Sequence, residues 1–160
     1  MILAIHTKKF RSEAGGQSLI ELAVALPIIL LILIGTFDFG MALFSYSIMR
    51  DAAQEGALYG SFNPGNKAEI ENRARNILPR DEGVVFSSPI DLRDTSAVVV
   101  DIRNFGGACQ GISGGSANRV QVRVIYQYPI LTPFAGEIVG SDTIRLTSTA
   151  TNVILQPPCN

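Results

Sequence analysis

Apolar residues follow two different rules along this chain. Across residues 19–44 they crowd together, and residues 22–37 carry no charge at all. After Pro79 they alternate with polar residues at a period of two. With residues 18–20, on the far side of Glu21, the uncharged stretch reaches roughly the 20 residues that carry a helix across a bilayer's hydrocarbon core. Pro27 lies inside it and removes one backbone donor, which predicts a local kink rather than a stop.

Beyond Asp38 the spacing stays helical. Phe44, Ile48, Ala52, Glu55 and Tyr59 step along one face, while Ser47, Arg50, Asp51 and Gln54 lie elsewhere around the axis. Turn-forming residues at 60–65 end the pattern. A helix over residues 17–60 would be about 66 Å long, roughly half of it beyond the membrane. Ala52, Gly56 and Gly60 add a small-residue stripe that lets another backbone come close. Two readings of the stripe stand: contact with a neighbouring subunit, or packing against this protein's own domain.

A second, short helix is expected over residues 66–78, capped by Asn66 and broken by Pro79. Strands are expected at 84–88, 97–104, 119–128 and 143–154. In the third of these Val120, Val122, Val124, Tyr126 and Tyr128 share one face, and Arg119, Gln121, Arg123 and Gln127 the other. The fold class is therefore α+β: a long amino-terminal helix packed on a small antiparallel sheet of about four strands, with one short extra helix. Residues 105–118 hold Gly106, Gly107, Gly111, Gly114 and Gly115, a composition too permissive for a helix or strand. An exposed loop, or a ligand or partner contact, is expected there. No Gly-Lys-Ser/Thr follows, so it is not a phosphate cradle.

Composition narrows the function. Of 160 residues 47% are hydrophobic, and the formal net charge is −1 with no basic face, which argues against nucleic acid as a partner. The sole histidine, His6, precedes the apolar run, so a Ser-His or Cys-His pair is excluded from the rest of the chain. Asp91, Asp94 and Asp101 lack the spacing of a calcium loop. No metal, no cofactor and no enzymatic activity is expected. Cys109 and Cys159 are too few for a four-ligand zinc site. On the oxidising side of a membrane they would form one disulfide closing a loop of about 50 residues, worth roughly 4 kcal/mol at most. An intermolecular bridge or two free thiols are the alternatives.

The amino-terminal segment has the order of a targeting signal: Lys8, Lys9 and Arg11 against a lone Glu13, then Ala14-Gly15-Gly16, then the apolar run. Lys8, Lys9 and Arg11 precede the run, whereas Asp38, Arg50, Asp51 and Glu55 follow it, so the positive-inside bias puts the amino terminus in the cytoplasm and the remainder outside. A conventional secretory signal would have a shorter apolar core, a cleavage site after that core, and no acid within it. Glu21 is the anomaly. A carboxylate at mid-bilayer costs about 2.5–3.5 kcal/mol, less near the interface. Either it snorkels to headgroup depth or it pairs with another group inside the membrane.

The run Gly15-Gly16-Gln17-Ser18-Leu19-Ile20-Glu21, followed by Leu22-Ala23-Val24-Ala25-Leu26-Pro27, resembles a class III prepilin junction. More narrowly it is similar to the TadE-like family of the tight-adherence (Flp) pilus system. Phe37-Asp38-Phe39-Gly40 and Ala52-Ala53-Gln54-Glu55-Gly56-Ala57-Leu58-Tyr59 extend the likeness over about the first 60 residues. Gln54 and Leu58 depart from it, since arginine is common in the family at both positions. The resemblance implies cleavage by a prepilin peptidase between Gly16 and Gln17, with Glu21 as the fifth mature residue. It also implies association with other pilins or pseudopilins and an assembly platform, and a minor rather than bulk subunit, because the major pilins of that system are short and lack such a domain.

The chain then divides into a leader (1–16), a transmembrane helix (17–40), its extracytoplasmic continuation (41–62) and an extracytoplasmic α+β domain (63–160). The new ammonium at Gln17 could pair with Glu21 of an adjacent subunit, unless the glutamine cyclises and loses its charge. The rival expectation is an uncleaved, signal-anchored binding module that keeps residues 1–16 and has no need of Glu21.

Overall fold

A computed structural model of the protein describes residues 14–76 and 89–156. The first element is one continuous helix, α1 (Ala14–Phe62), which runs through Pro27 without a break. A short helix, α2 (Lys67–Arg75), follows it. Asn66 caps α2 by accepting the Glu69 amide at 3.2 Å, a bond that satisfies one of the donors a helix start leaves open. Three strands, β1 (Val98–Phe105), β2 (Arg119–Pro129) and β3 (Thr143–Val153), form an antiparallel sheet in the order β1-β2-β3. A five-residue helix, α3 (Ala135–Val139), lies in the connection between β2 and β3. The architecture is α+β, as expected. The expected strand at 84–88 lies outside the described residues.

Strict alternation makes β2 the centre of the sheet: Val120, Val122, Val124, Tyr126 and Tyr128 are all buried, and their intervening neighbours point away. That inner face lies on the second half of α1. Val122 meets Gly56 and Val120 meets Gly60 at one end, while the Tyr128 hydroxyl reaches Asp38 at the other. The strand thus runs antiparallel to the helix. Its eight steps from Val120 to Tyr128 cover about 26 Å at 3.3 Å per residue, against about 33 Å of helix between Gly60 and Asp38 at 1.5 Å per residue.

The helix face turned to the sheet differs from the one expected. Phe44 is exposed, whereas Ser45, Ile48, Met49, Ala52, Ala53, Gly56, Ala57, Gly60 and Ser61 are buried. Glu55 and Tyr59 are half-buried on the flank. The reason is distance: a sheet pressed close to a helix backbone selects for small side chains on the contact face and expels aromatic ones to its rim. An ideal Cβ at Gly60 would sit 3.0 Å from Val120 and 3.1 Å from Ile70, so no larger residue fits without displacement.

The glycine-rich connection is also more ordered than its composition implies. Residues 108–117 make short 3-10 turns broken at Gly111 (φ 54°, ψ −140°) and Gly115 (φ 59°, ψ −154°). Those angles belong to a region open almost only to glycine. The glycines let the chain fold back between turns rather than leaving it unstructured. Asn118 stitches the result together: its amide side chain donates to the Gly111 carbonyl at 2.7 Å and its carbonyl accepts from the Ile154 amide at 2.9 Å.

Candidate functional site

Gly16 and Gln17 lie in the opening turns of α1 and are exposed, as is Glu21 one turn further on. Among the described residues Glu21 makes no salt bridge. Leucine, isoleucine and valine side chains from Leu19 to Leu33 project outward around this half of the helix, and the protein covers none of its most apolar stretch. A helix this long and apolar satisfies the length and composition needed to cross a membrane.

The small-residue stripe occupies different ground. Ala52 is buried, Gly56 lies against Ala74, the Ile70 carbonyl and Val122, and Gly60 lies against Val120 and Ile70. The contacts of both glycines are with this protein's own α2 and β2. Arg75 holds the far side of α2: it pairs with Glu71 at 2.8 Å and donates to the carbonyls of Leu92 at 2.7 Å and Val98 at 3.3 Å. An open polar groove of about 580 Å³ separates α1 from α2, lined by Glu55, Glu69, Asn72, Arg73 and Asn76. Within it Arg73 is spent on Glu69 at 3.2 Å and on the Tyr59 ring at 5.2 Å.

A carboxylate that enters the sequence pattern only as a charge after the apolar run and as part of the resemblance accepts four hydrogen bonds. Asp38, the first charge after the apolar run, is buried. One carboxylate oxygen accepts the Tyr128 hydroxyl at 2.6 Å. The other accepts the Leu131 amide at 3.1 Å, the Thr132 amide at 3.2 Å and the Thr132 hydroxyl at 3.0 Å. A buried carboxylate is tolerated only when its acceptor capacity is filled in this way. Burial, and then the bond to Asp38, raise the pKa of the Tyr128 hydroxyl well above the ordinary tyrosine value. Two signals pointed to it, its position as the first acid after the apolar run and its place in the Phe37-Asp38-Phe39-Gly40 step of the resemblance, but neither named its partners.

The aspartates weighed as a calcium site are engaged locally. Asp91 accepts the Arg93 amide at 2.9 Å, and Asp101 pairs with Arg103 at 2.9 Å. Asp94 accepts the hydroxyl of Ser96 at 2.6 Å and its amide at 2.9 Å, bonds that lower its pKa below the usual carboxylate value. Among the described residues no group of three or more His, Cys, Asp or Glu is placed to hold a metal ion. Cys109 falls in the first of the 3-10 turns, while Cys159, and with it the expected bridge, lies outside the described residues.

The likeness to known proteins lies in α1, over the stretch that carries the junction, the bare apolar run, Asp38 and most of the small stripe. Residues 16–58 match the family model described as TadE-like protein. The TadE-like segment begins at Gly16, contains Glu21 and Asp38, and ends two residues short of Gly60. The likeness read from the glycine junction and the Ala-Ala-x-Glu-Gly-Ala stretch therefore stands. No curated protein and no solved structure matches the chain. Among the described residues one helix has the length and composition to cross a membrane, and its apolar run lies within the TadE-like segment, which fits a single-pass membrane protein.

Proposed function

We propose that the protein is a minor pilin or pseudopilin-like subunit of a tight-adherence (Flp) pilus or a related secretion filament, with a structural rather than catalytic role. The observation that carries this reading is the TadE-like match, which starts at the glycine of the junction and runs through the apolar helix. In this reading a prepilin peptidase cuts between Gly16 and Gln17 on the cytoplasmic side. That bond lies in the first turns of α1, where backbone donors have no intrahelical partner and opening is easiest. The helix then anchors the mature chain in the bilayer, and the α+β domain stands outside, in contact with other pilus components.

Glu21 is the assembly carboxylate. Exposed, and without an ion pair among the described residues, it is open to the Gln17 ammonium of an adjacent subunit. Two unit charges about 4 Å apart attract by about 4 kcal/mol at an effective dielectric of 20. That attraction works against the cost of holding both charges in the membrane, which for a carboxylate reaches roughly 2.5–3.5 kcal/mol at mid-bilayer and is less near the interface, where Glu21 stands. The extracytoplasmic domain supplies what is particular to this subunit.

Intact-mass and amino-terminal peptide analysis of protein from native membranes or sheared filaments tests the processing step. A chain beginning at Gln17, or at its cyclised form, is expected. An intact leader would instead identify a signal-anchored binding module. For the assembly step, Glu21→Ala should leave cleavage unchanged and abolish recovery in filaments; normal incorporation of this variant would sink the pairing idea.

A further inference from the structure

The bare and covered halves of α1 meet at a definite level. Residues 19–37 rise about 28 Å at 1.5 Å per residue, close to the roughly 30 Å of a hydrocarbon core. Asp38 therefore stands at the outer boundary. The chain returns to that level once more, in the connection between β2 and β3. Leu131 and Thr132 donate their amides to Asp38. The Thr132 hydroxyl lies 4.0 Å from the place a Cβ would take on Gly35, almost one turn lower on the membrane side.

This connection is built unlike the others. Residues 130–136 read Ile-Leu-Thr-Pro-Phe-Ala-Gly, with no charge among them. Leu131 is 57% exposed, Phe134 70% and Ile138 86%. Phe134 takes φ 65°, alone among the described non-glycine residues in having a positive φ, a conformation that costs energy and holds only when its surroundings impose it. Ile144, at the start of β3, adds a further exposed apolar side chain. It helps line an apolar crevice of about 190 Å³ against Gly35 and Phe39. The charged neighbours Glu137, Asp142 and Arg145 are exposed on the same stretch, so apolar and charged groups alternate as they do at a membrane–water interface.

We propose that residues 130–141 form a second membrane contact, with Leu131, Phe134 and Ile138 inserted among the outer headgroups and upper acyl chains beside α1. The inference rests on the reading of residues 19–37 as membrane-spanning. Lipid is favoured as the occupant because the patch continues the outward apolar surface of α1, where Phe37 is also exposed, and because Asp38 pins it at that height. Insertion is shallow. Non-helical backbone is not tolerated in lipid-facing hydrocarbon, so the side chains reach down while the backbone of 130–134 stays at headgroup depth.

The chain contains no tryptophan, which makes single-tryptophan probes clean. The full chain would be reconstituted in phosphatidylcholine–phosphatidylglycerol vesicles, with and without lipids brominated either near the headgroup end of the acyl chain, for the probes at 134 and 138, or near its methyl end, for the probe at 29. The probes are Phe134→Trp and Ile138→Trp, with Ile29→Trp in the spanning helix and Ile112→Trp in the distant 3-10 turns as references. Phe134→Trp and Ile138→Trp should show blue-shifted emission and lose most of it to the brominated lipid, as Ile29→Trp does, while Ile112→Trp keeps its emission.

If only Ile29→Trp is quenched, the helix spans and the connection stays in water, which overturns this proposal and leaves the membrane reading intact. If Ile29→Trp also escapes quenching, both fall. Probes at 134 and 138 that are shielded from an aqueous quencher yet untouched by brominated lipid would show that protein covers the patch, which overturns the lipid assignment.

Discussion

The two halves of α1 are one helix with two kinds of surface. Before Asp38 the helix displays leucine, isoleucine and valine on every side and touches almost nothing of its own protein; after Asp38 it turns mostly alanine, glycine and serine, with Ile48 and Met49 among them, toward a sheet. Bulk and burial are inverted. Where the surroundings are fluid and apolar, large side chains maximise favourable contact with lipid and need no fitted partner. Where the surroundings are another backbone, closeness decides, and the smallest residues allow the most dispersion contact per unit length. A helix face therefore cannot be recognised by apolar bulk alone.

The sharpest way to break the comparison is at its boundary. Asp38→Ala removes the acceptor for two backbone amides and two hydroxyls, of which the Tyr128 hydroxyl is buried and the Leu131 and Thr132 donors are part-buried; at about 1–3 kcal/mol for a buried unsatisfied group, and less where water reaches, a net loss of about 3 kcal/mol is expected. Asp38→Asn, which keeps one acceptor oxygen, should lose less. Urea unfolding of the full chain in detergent, followed through the domain, measures both. Equal losses for the two variants would show that the carboxylate is not what joins the halves.

A smaller effect separates the two environments directly. Gly60→Val pushes a branched side chain into Val120 and Ile70, and overpacking of this kind costs about 1–3 kcal/mol. Gly40, on the same helix, has nothing within 4 Å of an added Cβ. Gly40→Val should stay within about 0.5 kcal/mol. Comparable losses at both positions would mean that helix propensity, not closeness to the sheet, governs this face.

The smallest effect is in alkali. Burial raises the pKa of Tyr126 and of Tyr128, so the folded state keeps both protons at pH values where the unfolded chain has begun to lose them. The stabilisation is complete below the unfolded value of 10.0 and declines as pH rises beyond it. Unfolding midpoints should fall above pH 10, and Tyr128→Phe should make that fall shallower. A midpoint flat through this range would indicate that the sheet end of the Asp38 contact is open to water.

Much of this was readable in the residue order. The alternation from Val120 to Tyr128 gave the buried face of β2 directly, and β1 and β3 begin and end within a residue of their expected bounds. The Asn66 cap was equally plain. Periodicity describes each element by itself, however, and carries nothing about which helix residue meets which strand residue. Asp38 and Tyr128 are 90 residues apart, so their bond could not be foreseen. The rotated face of α1 was missed for another reason: Phe44 and Tyr59 are the conspicuous residues, yet Ser45 and Ala53 are the covered ones. In the 3-10 turns, glycine content was read as freedom, when two of the glycines serve to permit one particular fold-back.

The long separation between Asp38 and Tyr128 also sets a clock. At roughly 5–20 residues per second of synthesis, the stretch between them takes on the order of ten seconds to emerge. For that interval the alanine–glycine face of α1 has no sheet to cover it and is open to the equivalent face of any nascent sister chain. Holding such chains apart until β2 has been delivered is a task for whatever machinery escorts them.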